Sequence, residues 1–220
     1  MSFSITYNPS EPCQTIWDSL ETFAGIFGDV NHTNGNVDAS NSGGFYGGGP
    51  FDGTQYAING VNPVSAILAE GDLTYSFMTA PAHTLYGDLD SVILGDGLLG
   101  GPTEGVAFEI DDPFLSFNGL GLSTDVNDLT VTDRGIVHDV VYGLMSGDPT
   151  ELGKAVAGIF DTLLGVADSW SSSSSVFNTA TLCDLDGDSD GIVTEAEIIA
   201  YAAANPVGVP EFFDDLALVA

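Results

Sequence analysis

From residue 55 to about 118 the chain consists of short apolar runs, each cut off by glycine, proline, aspartate or asparagine. The runs at 55–58, 64–68, 73–77, 91–94, 106–110 and 114–117 have strand length, with turn-forming residues between them. Such a stretch leaves no room for long helices and predicts a meandering antiparallel sheet. The 28 glycines agree, since glycine favours turns and loops over helix interiors. Residues 3–7 read as one more short strand.

Helical periodicity lies on either side of this stretch. Across 15–27, Ile16, Leu20, Phe23 and Phe27 recur at three- or four-residue spacing, and Gly28 can end the helix. Across 133–145, Ile136, Val137, Val140, Val141 and Leu144 form an apolar stripe. A further helix starts with Asp148 as N-cap, Pro149 in the first position and Glu151 completing a capping box, and runs to about 166. Residues 28–53 are rich in Gly, Asn and Ser and lack periodicity; a structureless loop of that length inside a domain is usually functional. Five serines at 171–175 read as a linker. The fold class is α+β: a single domain with a curved antiparallel sheet packed on one face by helices.

The formal charge is −30, with Arg134 and Lys154 as the only Lys or Arg residues. Such a chain cannot neutralise phosphates, which excludes nucleic acid, and an anionic membrane surface repels it. High acidity serves solubility, and cation binding requires a defined site. No apolar run approaches the ~20 residues of a membrane span, so no membrane insertion is expected. The first residues, MSFSITYNPSEPC, lack the basic and apolar regions of a secretory signal peptide. Taken alone, that suggests a cytoplasmic protein.

Three tracts carry the chemistry. Residues 27–49 read FGDVNHTNGNVDASNSGGFYGGG, residues 73–91 read LTYSFMTAPAHTLYGDLDS, and residues 134–148 read RGIVHDVVYGLMSGD. A tyrosine and two histidines at such spacing are weak evidence for a ligand set, because strand tyrosines mostly pack and loop histidines mostly face solvent. The surrounding strings NHTNGN, LTYSF and PAHTLYG are specific, and they closely resemble the secreted bacterial haemophores of the HasA type, over roughly residues 1–178 and again over the last dozen. The resemblance implies that His32 and Tyr75 ligate the iron of one ferric haem b per chain, that His83 hydrogen-bonds Tyr75, and that haem sits between two loops at one end of the sheet. The chemistry is apt: ferric iron is hard, phenolate oxygen suits it, and a neighbouring imidazole helps a phenol of ordinary pKa near 10 to ionise. The pocket tracts imply Val37, Phe51, Phe77, Met78, Leu85, Tyr142 and Met145 as haem contacts. Arg134 either meets a propionate or is a surface residue without a role. His138, between apolar helix neighbours, reads as a structural histidine and is not assigned to iron.

The same resemblance implies an extracellular carrier. It would take haem from haemoglobin or other haemoproteins and deliver it to an outer-membrane haem receptor. Residues 206–220, PVGVPEFFDDLALVA, resemble the export signals read by ABC-type (type I) exporters, so the protein is expected to be secreted without an N-terminal signal and to act as a monomer. Cys13 and Cys183 permit a disulfide. Export in unfolded form past the periplasmic oxidases favours two unpaired thiols instead.

Residues 186–197, DGDSDGIVTEAE, fit the EF-hand calcium loop, which the haemophores do not lead one to expect. Asp186, Asp188 and Asp190 offer carboxylates, Ile192 its carbonyl, Thr194 a direct or water-mediated oxygen, and Glu197 a bidentate carboxylate, with Gly191 at the sharp turn. The incoming helix is poor, so a dockerin-like half-site is the closer comparison. The chain divides into a haem-binding part (1–170), a linker (171–178), a calcium segment (179–205) and an export signal (206–220). No nucleophile–base pattern, P-loop or zinc motif appears, and a protein-filled iron is closed to oxygen chemistry, so an enzyme is not expected. The alternative function is a calcium-dependent secreted binding or adhesion module without haem.

Overall fold

In the computed structural model, residues 2–11, 13–27, 44–60, 65–79 and 81–206 are described. They form strands β1 (Ser4–Tyr7), β2 (Gly44–Tyr46), β3 (Asp52–Asn59), β4 (Ser65–Ser76), β5 (Thr84–Gly101), β6 (Val106–Thr124) and β7 (Ile192–Thr194). The helices are α1 (Ile16–Phe27), α2 (Gly135–Met145), α3 (Thr150–Leu164), α4 (Val176–Thr179), α5 (Leu182–Leu185) and α6 (Glu195–Ala204). The strands make one sheet in the order β2-β3-β4-β5-β6-β1-β7, with every pair antiparallel. None of the helices among the described residues is long and apolar enough to cross a membrane.

The sheet has fewer and longer strands than the sequence pattern predicts. Residues 65–68 and 73–76 of two expected runs belong to one strand, β4, while 91–94 lies inside β5 and 106–110 and 114–117 both lie inside β6. The residues expected to break strands are absorbed as bulges. Register shifts fall at Glu70/Gly71, Leu89/Ser91, Leu94/Gly95 and Leu99/Gly101, and each bends the sheet without ending it. Gly71 (φ +157°) and Gly87 (φ +112°) show why glycine is needed there: a Cβ on either would collide with the carbonyl oxygen of Asp88 or Asp72 across the pair.

The curvature brings β3 against β6. The Gln55 carboxamide accepts from the Phe108 N–H (2.8 Å) and donates to the Phe108 carbonyl (3.1 Å), replacing the strand partner that the bulge withholds. The same amide donates to Glu70, whose second oxygen accepts from Ser91. A small apolar cluster of Leu68, Phe108 and Ile110 fills this outer face.

The main core lies between the other face and the helices. Ile5, Leu20, Phe27, Phe117, Phe160 and Phe177 are fully buried in it. The stripe on α2 packs as its spacing predicts, with Val137, Val140, Val141 and Leu144 buried. The start of α3 differs from the expected capping box. Pro149, not Asp148, is the N-cap and has no side-chain cap; Asp148, one residue earlier, accepts from the Thr150 N–H on Oδ1 (3.1 Å), and its own N–H already donates to the Gly143 carbonyl (2.8 Å). Glu151 has no donor to reach back to and pairs with Lys154 instead (2.8 Å). Gly165, in the left-handed conformation, ends α3.

The serines at 171–175 are wound into turns. Asn178 Nδ2 lies within hydrogen-bonding distance of the carbonyls of Ser169, Trp170 and Ser172 at 2.9–3.0 Å, and Ser175 caps α4. Beyond them, Phe177, Ala180, Leu182, Leu185, Val193 and Ile198 join the same main core. This last part of the described chain grips the first. β7 pairs with β1, the Leu182 N–H donates to the Gln14 carbonyl, Thr15 bridges to Thr181, and the Phe3 N–H donates to Glu195 (2.6 Å).

That grip overturns the expectation of two unpaired thiols. Cys13 and Cys183 are joined in a disulfide, with their Cα atoms 5.7 Å apart. The backbone bonds at Gln14 and Thr15 hold the two segments at the spacing a disulfide requires. The bridge closes a loop with a sequence separation of 170. Replacing both cysteines by serine is expected to lower the unfolding free energy by about 2–4 kcal/mol, read from urea denaturation. An unchanged midpoint would show that the non-covalent contacts alone hold the two ends.

Candidate functional site

Tyr75 is the penultimate residue of β4 and lies opposite Leu85 of β5. Between them the chain turns back, with Ser76 Oγ donating to the Thr79 carbonyl (2.7 Å). His83 ends the turn at φ +58°, a conformation that side chains other than glycine seldom adopt and that histidine tolerates better than most. The return brings the two residues together. Tyr75 Oη and His83 Nδ1 share a hydrogen bond of 3.0 Å, its direction set by the imidazole tautomer. Arg134 Nη1 donates to the His83 carbonyl (3.2 Å), and the Phe77 ring stands edge-on to the imidazole at 5.3 Å. Phe51 and Phe77 stack at 5.6 Å and leave outward faces exposed.

The opposite wall comes from α2. Its start is tied to β6: Gly135 (φ +78°) packs on Thr124, where a Cβ would collide, and Thr124 Oγ1 accepts from the Val137 N–H (3.2 Å). This satisfies an otherwise orphaned helix donor and fixes which residues of α2 face the cleft. His138, 8% exposed, accepts the Leu85 N–H on Nδ1 (3.4 Å) and stacks on Tyr142 at 5.4 Å. Burial, with the Arg134 charge adding to it, pushes its pKa down to about 4. A neutral ring is what a buried acceptor requires, and the position agrees with a structural histidine. Burial pushes the Tyr75 phenol up from its ordinary value, and the Arg134 charge works against that shift.

Between these walls lies a cavity of about 270 Å³. Of the residues expected to meet haem, Tyr75, His83, Leu85, Tyr142 and Met145 line it. Phe51, Phe77 and Met78 lie outside that lining, Met78 being 86% exposed. His32 and Val37 fall outside the described residues. Tyr56, Val141 and His138 also line the cavity. Sequence reasoning read Val141 and His138 as core and missed Tyr56, which in sequence is one more strand aromatic; only the sheet's curvature turns it toward the site.

The acidic loop forms a second cluster. Carboxylate oxygens of Asp186, Asp188 and Asp190 lie within 4.8 Å of one another. Burial opposes the charge on Asp186, but the N–H groups of Gly191, Ser189 and Asp190 and the Tyr7 hydroxyl hold its carboxyl below the usual range. The Asp190 charge, with some desolvation, raises Asp188. Glu197 ties the loop's ends together, accepting from the Gly187 N–H (2.9 Å) and from both the N–H and the hydroxyl of Thr194. Val193, fully buried opposite Ile5, is the loop's central apolar residue, while Ile192 is partly exposed.

The family model described as Heme-binding protein A (HasA) matches residues 1–220 of the chain. The hemophore HasA of Serratia marcescens is 51% identical over 163 residues, covering 73% of this chain and 83% of that protein. Among solved structures, the apo hemophore HasA of Yersinia pestis is 33% identical with a TM-score of 0.60, over 72% of this chain and 87% of that one. The holo form from the same organism is 31% identical with a TM-score of 0.59, over 72% and 89%.

The buried His138 gives the site a pH dependence. Its folded pKa of about 4 lies below the ordinary 6.5, so the unfolded chain takes up a proton first as pH falls. Its contribution to stability is full above pH 6.5 and is lost as pH falls through 4. His138→Gln is expected to flatten the wild-type loss of stability across that window, measured by denaturation at several pH values. An unchanged pH slope would show that the ring is not held neutral.

Proposed function

The chain belongs to the HasA family of haem-binding proteins, and we propose on that footing that Tyr75 and His32 hold the iron of its cargo and that His83 tunes Tyr75. It is an extracellular haem-binding carrier. The hydrogen bond between Tyr75 and His83, at an aromatic- and aliphatic-walled cleft, supports this assignment best. In the ligand-free site burial favours the neutral phenol. With ferric iron on the oxygen, the phenolic proton would pass to His83 Nδ1, which would then donate a hydrogen bond back to the phenolate. Leu85, Val141 and Met145 supply apolar contact for a flat macrocycle, and the uncovered faces of Phe51, Phe77 and Tyr142 extend it. Arg134 stands beside His83 as the site's one cation among the described residues, suited to a propionate. At a net charge of −30, affinity comes from coordination and burial, not from long-range attraction.

With both axial positions taken by protein, the iron is carried and not used for turnover, so the protein is a carrier and not an enzyme. It takes haem from haemoglobin or other haemoproteins, passes it to an outer-membrane receptor, leaves the cell through an ABC-type exporter that reads residues 206–220, and works as a monomer. Calcium occupies the loop of Asp186, Asp188, Asp190, Ile192, Thr194 and Glu197. The Asp190 charge that disfavours ionised Asp188 is the repulsion a divalent cation relieves.

Tyr75→Ala combined with His83→Ala is expected to weaken ferric haem binding by about a hundredfold or more, and His32→Ala by about tenfold, measured by competition with an apo-globin. Full affinity in the double mutant rules out the ligand assignment. Isothermal titration with calcium is expected to give one site of millimolar or better affinity that Asp190→Ala abolishes. No heat of binding with the wild-type protein removes calcium from the account.

A further inference from the structure

A second cavity, of about 490 Å³, lies away from the haem site, between the end of α3, the serine turns and α6. Its walls are Leu163, Leu164, Val166, Ile199, Ala202 and Ala203, with serines along one rim and no charged side chain. Val166 and Ile199 are about half exposed there, 51% and 46%, which is costly for large apolar side chains facing water. Ser169 also lines the groove. Its backbone is engaged, with the N–H donating to Asp161 (2.8 Å) and the carbonyl accepting from Ser175 and Asn178. Its hydroxyl is buried and has no partner among the described residues, whereas a buried hydroxyl normally finds one.

We propose that the occupant of this groove is the chain's own residues 207–220. The groove's lining ends in Asn205 and Pro206, so the chain leaves the described structure at the groove itself. Residues 207–220 read VGVPEFFDDLALVA, in which Phe212, Phe213, Leu216, Leu218 and Val219 supply apolar side chains to an apolar, uncharged slot. At about 3.3 Å per extended residue, the segment has ample length to fold back over α6. A peptide lying there brings backbone N–H and C=O groups to the Ser169 hydroxyl, while Glu211, Asp214 and Asp215 remain free to face water. No other segment needs less loop closure to reach the slot.

The test uses the full chain and chymotrypsin, which cuts after Phe212 and Phe213. A charge is placed in the groove with Ala203→Glu, and on exposed helix surface outside it with Ala204→Glu as control. The wild-type and Ala204→Glu proteins are expected to be cut at these two phenylalanines about tenfold or more slowly than Ala203→Glu, independent of protein concentration. Equal rates overturn the proposal, and protection that grows with concentration assigns the groove to the tail of a second copy. A second measurement needs no substitution. Amide exchange across residues 166–176 is expected to quicken once chymotrypsin has removed the tail. Unchanged exchange means that the groove was empty.

Discussion

The register between β4 and β5 places the centre of the cleft. It runs from Ser65 opposite Asp96 to Ser76 opposite Thr84, and a single bulge at Glu70/Gly71 shifts it by one residue. The extra residue, Asp90, is on β5, so β5 changes face there: Leu85 and Leu89 reach the main core before it and Val92 and Leu94 after it, while β4 keeps one alternation, with Ile67, Ala69, Leu73 and Tyr75 on the core side. Tyr75 reaches the cleft on that unbroken alternation, opposite Leu85, and His83 meets Tyr75 because the turn between the strands closes with the left-handed residue next to Thr84. The close approach of Gly71 and Gly87 makes the shift possible. The site is thus held by backbone pairing, and its two central side chains need little further support.

Much of this was legible in the sequence, for reasons that differ by element. The periodicity of α1 and α2 is local, and the core faces follow from it. The calcium-loop pattern is also local, and Asp186, Asp188 and Asp190 converge as their spacing requires. The meeting of Tyr75 and His83 was legible only through family resemblance, since the two alone at eight-residue spacing carry little. Strand length was misread because a glycine or an acidic residue in a strand looks like a turn until pairing on both sides is known. The same holds for Tyr56, which belongs to the site by curvature, and for Glu151, whose capping partner was already committed to Gly143. The disulfide depends on contacts between residues near opposite ends of the chain, and no local pattern announces those.

The acidic loop is built into the fold instead of being appended to it. In a paired EF-hand the short strand of one loop pairs with that of another; here β7 pairs with β1, and Tyr7 donates a hydrogen bond to the first aspartate, Asp186 (2.9 Å). The loop, the disulfide and the Phe3–Glu195 contact all act on the stretch from β1 to α1. That stretch leads directly into residues 28–43, the tract that contains His32. The segment that carries the acidic loop and the elements that wall the cleft therefore belong to one core.

The central claim is that the cleft bounded by Tyr75, His83 and α2 carries one haem. The most direct measurement is an ultraviolet–visible titration of the ligand-free protein with ferric haem. The account predicts a Soret band that saturates at one haem per chain, with the spectrum of six-coordinate iron bound by histidine and tyrosinate. A titration without saturation at that stoichiometry, or a spectrum with an open iron position, would contradict it.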